Sequence, residues 1–166
     1  MTTREELIEG LKVVRREGMR VMSGFGPDDW QKKVLDEGGT WTRKQAYAHI
    51  TATAEITPGF AGNLGGASET ADAAAGLDIN ALNAQLVSAK ESLSGDDLMK
   101  AFDSAFVKLI DFIKTLPEEQ LQNKTQFGEL KGQVSDIMSG VLILHSMAHI
   151  YGAGGSPLRT TAGFAS

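Results

Sequence analysis

The chain has 166 residues, enough for one ordinary domain with a core of its own, so it needs no covalent or metal staple to fold. It has no cysteine, which excludes disulfides, thiolate metal ligands and a cysteine nucleophile; any reactive sulfur must arrive with a ligand. With 16 basic and 21 acidic residues the net charge is -5, the opposite of what a protein that grips phosphate backbones carries, so no nucleic-acid partner is expected.

The chain opens on charge, Thr3-Arg4-Glu5-Glu6, and no apolar segment of a secretory signal follows. Its longest apolar run, Val141-Leu142-Ile143-Leu144, is far shorter than the roughly 20 residues that cross a bilayer, so a cytoplasmic location without membrane contact is the expectation. Leu7, Leu11, Val14, Gly18 and Val21 recur at helical spacing, and Thr3 with Glu6 makes a capping box, predicting a first helix over about 4–22. Gly24, Gly26 and Pro27 end it, and residues 30–40 read as a connection with room for a short helical turn. A second capping box, Thr42 with Gln45, starts a helix over about 42–60, with Ala46, His49, Ile50, Thr53 and Ile56 on its inward stripe and a bend or stop at Pro58.

Residues 63–76 are rich in Gly, Ala, Ser and Thr without apolar periodicity, which predicts a long crossover or flexible connection. A third helical region starts near Asp78, breaks at Ser94-Gly95 and resumes on Leu98, Phe102, Ala105, Phe106, Leu109 and Ile113 until Pro117 closes it. Residues 118–131 are polar and leave an irregular loop and a short extended piece both open. The last helix is predicted over about 134–151, buried nearly all round, with Val134, Met138, Val141, Leu142 and Ala148 on one face with His145 and His149. Beyond it, 153–166 reads as a loosely packed arm. The whole is an all-α, single-domain four-helix bundle.

The chain has three histidines. His145 and His149 are four apart, so on a helix they stand one above the other at a spacing that suits two imidazoles on one cation. His49 lies on the inward stripe of another long helix, from which it can face the pair across a core. Three neutral imidazoles from two helices make an open metal site. Against this, a histidine on an apolar face is commonly a hydrogen-bonded core residue, so both readings stand on spacing alone. The zinc-protease pattern needs a glutamate directly after the first histidine of the pair; here that residue is Ser146, which excludes that mechanism. The glycines of Gly62-Asn63-Leu64-Gly65-Gly66 lack the lysine of a phosphate loop, and Trp41 reads as a cap of the second helix that can also wall a pocket.

Trp41-Thr42-Arg43-Lys44-Gln45-Ala46-Tyr47-Ala48-His49-Ile50, answered late in the chain by His145-Ser146-Met147-Ala148-His149, resembles the DinB-like superfamily of metal-binding four-helix bundles. The resemblance implies a divalent metal ion, zinc or nickel, held by His49, His145 and His149 with open positions, and a homodimer. It also implies mixed activities, since relatives such as mycothiol-dependent maleylpyruvate isomerases and bacillithiol transferases use a metal to activate a low-molecular-weight thiol. Two departures stand out. Many relatives follow the last histidine with Arg-Gly-Gln, where this chain has Ile150-Tyr151-Gly152, and isomerase relatives often carry a glutamate where His145 stands. The expectation is a metal-dependent thiol S-transferase or hydrolase with a small-molecule or thiol partner; the alternatives are a non-catalytic metal-binding or stress-associated module and a bundle whose site has decayed.

Overall fold

The computed structural model describes residues 2–34, 41–66, 74–76 and 78–154. Helix α1 spans Arg4–Met22, and its capping box is present: Thr3 Oγ1 accepts from the Glu6 N–H at 3.2 Å while the Glu6 carboxylate accepts from the Thr3 N–H at 2.8 Å. Leu7, Leu11, Val14 and Gly18 form its buried stripe as the spacing predicts, with Met22 rather than Val21 closing it. A short 3-10 turn, Pro27–Gln31, follows.

Helix α2, Arg43–Gly66, starts behind the Thr42–Gln45 box and does not stop at Pro58. A proline inside a helix costs about 3 kcal/mol through its lost bond and its clash with the preceding turn. Here Thr57 and Ala61 on either side are buried, and Gln120 donates a 2.9 Å hydrogen bond to the Ala61 carbonyl, so packing carries the helix past the break. Part of the 63–76 stretch is therefore helical; its residues 67–73 lie outside the described residues, and Ala74–Gly76 form a turn.

Helix α3, Ile79–Ser88, starts at Asp78, whose side chain accepts from the Ala81 N–H at 3.0 Å. Helix α4, Gly95–Thr115, is capped by Ser94 and buries Leu98, Phe102, Ala105, Phe106, Leu109, Ile110 and Ile113. The polar 118–131 stretch resolves into a short helix α5, Glu118–Gln122, and a hairpin of β1, Lys124–Phe127, and β2, Leu130–Gln133. Gly128, at φ 59°, supplies the positive φ its two-residue turn needs. The last helix runs through α6, Val134–Met138, a π-helical turn, Ser139–Leu144, and α7, His145–Gly154. It ends three residues later than the sequence predicts; the remainder of the expected arm, 155–166, lies outside the described residues.

Helix α1 packs on α4 and on α7, and α2 packs on the same two. Thus α1 and α2 face each other across one diagonal of a four-helix bundle, α4 and α7 across the other. The connections that cross a diagonal precede α2 and follow α4, whereas the 63–76 stretch leads back from α2 through α3 to its neighbour α4. Arg15 and Asp103, 2.7 Å apart, clip α1 to α4. Among the described residues the fold is all-α, as the patterning predicts, with one two-stranded ribbon where the sequence left a loop and an extended piece both open.

The helix Val134–Gly154 is long and apolar enough to cross a bilayer by length and composition, and a third of its most apolar stretch is buried. It is not buried all round: Leu144 is 69% exposed, and Ala148 also faces out. The wider π turn admits an extra residue per turn, so the buried stripe advances by fours through Met138, Leu142, Ser146 and Ile150. Ser146 faces the core, and His145 and His149 are carried to the rim beside α2.

Candidate metal centre

Before α2 the chain is pinned as a short ladder: Lys33 pairs antiparallel with Thr42, the Val34 N–H donates to the Trp41 carbonyl at 2.9 Å, and the Arg43 N–H to the Lys32 carbonyl at 2.9 Å. This fixes Trp41 beside the helix start. Its indole stacks on the His149 ring, with centroids 5.6 Å apart and planes 24° from parallel, and lies 4.9 Å from the His49 ring. Trp41 is thus a wall of the histidine cluster as well as a helix cap.

The three histidines meet. Their ring centroids are 5.1, 5.2 and 4.5 Å apart, with interplanar angles of 88°, 74° and 89°, and one ligand nitrogen from each lies within 4.8 Å of the other two. The Nε2 atoms of His145 and His149 are 3.0 Å apart. Two imidazole nitrogens bound tetrahedrally to zinc at about 2.0–2.1 Å stand about 3.3 Å apart, so this pair is already near ligating separation. The widest pair needs only a small closing movement.

His49 is 4% exposed, His149 half-buried and His145 exposed. Burial, with smaller contributions from His145 and His149, pushes the His49 pKa down from 6.5 to about 3, which keeps this imidazole in the neutral form that binds metals. Its buried Nδ1 has no hydrogen-bond partner among the described residues. A buried polar atom left so costs free energy, and a ligand is one way to recover it. Three imidazoles without a carboxylate or thiolate suit zinc, nickel, copper or iron better than magnesium or calcium. The residues present fit such an ion.

A cavity of about 380 Å³ opens from His49 and His145. Thr53, Ile56, Thr57 and Phe60 of α2 form one wall, and Leu82, Asn83 and Leu86 of α3 another. Phe127 and Leu130 of the hairpin, with Met138, Gly140 and Val141 of the last helix, close it. Sequence reading assigned Met138 to the core, where it also lies, but missed the part played by α3 and the hairpin. Leu82 and Leu86 stand four apart, on one face of α3, but nothing local ties them to His49.

No protein-family model matches the sequence, and no curated protein matches it. Among solved structures the chain is similar to two crystal structures of mycothiol-dependent maleylpyruvate isomerase, one of them a histidine-to-alanine mutant. The mutant matches with a TM-score of 0.71 and the other with 0.70, each at 16% identity over 93% of this chain and 64% of theirs. The chain has the DinB-like helical fold that its histidine and tryptophan pattern resembles. It spans a little under two thirds of the length of those structures.

Proposed function

We propose that His49, His145 and His149 hold one divalent ion, zinc or nickel, and that the protein is a metal-dependent enzyme that activates a small thiol for transfer to a substrate. The observation that carries this reading is the convergence of three imidazoles, within 4.8 Å of one another, on the end of an apolar cavity. When bound, such an ion lowers the pKa of a coordinated thiol or water. His49 and His149 are held in place by the Trp41 indole, and the neutral state of His49 is enforced by its burial. The walls of the cavity next to the histidines are largely apolar, so water there finds few hydrogen-bond partners.

Among the described cavity-lining residues there is no aspartate, glutamate, lysine or tyrosine. With no such side chain in the lining, deprotonation of either a thiol or water falls to the metal itself, and the choice of a thiol rests on the comparison with solved structures. The fold shared with a mycothiol-dependent enzyme and the absence of cysteine from this chain support an external low-molecular-weight thiol. The same lack of a base also favours a second reading, a non-catalytic metal-binding module. The reading includes a homodimer, supported by the family resemblance alone, and a cytoplasmic location, carried over from the expectation drawn from the sequence.

The test is a screen of zinc- and nickel-loaded protein with mycothiol, bacillithiol and glutathione against a panel of electrophiles, following thiol consumption. Turnover that disappears with chelator is the expected result. Stoichiometric metal with no turnover across the panel would reject the enzyme in favour of the binding module.

A further inference from the structure

We propose that the cavity beside the histidines binds an uncharged, largely apolar small molecule and discriminates against carboxylates. Its size suits a ligand of one or two rings or an equivalent aliphatic chain. Among the described lining residues none carries a lysine or arginine side chain, so in the metal-free protein a carboxylate entering the cavity finds neither. An ionised carboxylate taken from water without a partner is strongly penalised.

The few polar groups point the same way. Thr53 Oγ1 donates to the His49 carbonyl at 3.0 Å and Thr57 Oγ1 to the Thr53 carbonyl at 2.7 Å, so both hydroxyl protons are committed to the helix's own backbone. Neither hydroxyl is left to donate to an anion in the cavity. The Asn83 amide is the remaining donor apart from the imidazoles. At the mouth, Ile79 and Leu130 are 37% and 46% exposed, an apolar approach rather than a charged one.

Gly140 gives a way to close the space without touching the histidines. It lines the cavity, and a Cβ built on it meets nothing within 4 Å. Leucine there projects into the ligand's volume, and it also suits a helix better than glycine.

Binding itself does not depend on a metal; only the assignment of this ligand as the substrate rests on the function proposed above. The experiment is calorimetric titration of the protein, in chelator, with two neutral probes, methyl cinnamate and 2-methoxynaphthalene, and their anionic counterparts, cinnamate and 2-naphthoate. At least one neutral probe is expected to bind ten-fold or more tightly than its anion. Gly140→Leu should weaken that binding at least ten-fold while the circular dichroism spectrum is kept. Asn83→Arg, which supplies a guanidinium for a carboxylate, should raise anion affinity at least ten-fold and covers the case in which Gly140→Leu fails to fold. Equal affinities for neutral and anionic probes, no binding of either neutral probe, or neutral binding indifferent to a folded Gly140→Leu would each overturn the proposal. Zinc stoichiometry read on chelator-free samples separates the two ideas. Probe binding without zinc binding keeps the cavity assignment and removes the metal reading, and zinc binding without probe binding does the reverse.

Discussion

Burial of a neutral imidazole has a measurable cost. In the metal-free protein the unfolded chain takes up a proton at His49 below its ordinary pKa of 6.5, while the folded chain withholds it until about 3. The folded state is therefore penalised progressively as pH falls from 6.5 towards 3, and the penalty is absent above 6.5. At pH 5 it amounts to about 2 kcal/mol. His49→Gln, neutral at every pH, should flatten the fall in urea-unfolding free energy between pH 6.5 and 5 by about that amount, measured in chelator. Parallel wild-type and mutant profiles would show that His49 titrates normally. At this scale the convergence of the three histidines was legible, because each sits on a helix stripe that the apolar spacing marks. The neighbours of those histidines were not legible, because Trp41 meets His149 only through the bundle.

Elements with a strong apolar period and a side-chain cap were readable. The α1 stripe, the two capping boxes and the Leu98-to-Ile113 stripe of α4 all lie where the residues put them. The elements that escaped lack such a local signal. The hairpin buries only Thr125 among its eight strand residues, so no alternation marks it, and the π turn, which packs on α1 and α2, interrupts an apolar period that reads as continuous α-helix. Gly18 illustrates contact between elements. A Cβ there would collide with the ring of Phe102, which is fully buried and hemmed in by Phe106 and Tyr47 at centroid distances of 4.6 and 5.8 Å. Gly18→Ala gains up to about 1 kcal/mol of helix propensity. Overpacking of a core that cannot yield costs about 1–3 kcal/mol. Net destabilisation of about 1 kcal/mol is the expected outcome of urea unfolding. A variant as stable as the parent would mean that the α1–α4 contact is looser than the ring packing implies.

For the whole molecule, the bundle places α2 and the last helix side by side, and this adjacency, not the sequence spacing, brings His49 to His145 and His149. The same adjacency leaves the cavity between α2, α3 and the hairpin, so site and pocket are products of one packing arrangement. The core of α1, α2 and α4 is built without the histidine pair, so loss of a metal ligand should leave the fold intact. The direct measurement is zinc content and affinity after equilibrium dialysis, for the parent and for His49→Ala, His145→Ala and His149→Ala, with circular dichroism on each. The account predicts one tightly held ion per chain in the parent and at least a ten-fold loss of affinity in every variant, with helical content retained. A folded His49→Ala protein that keeps full zinc stoichiometry at unchanged affinity would contradict it and return His49 to the ordinary core.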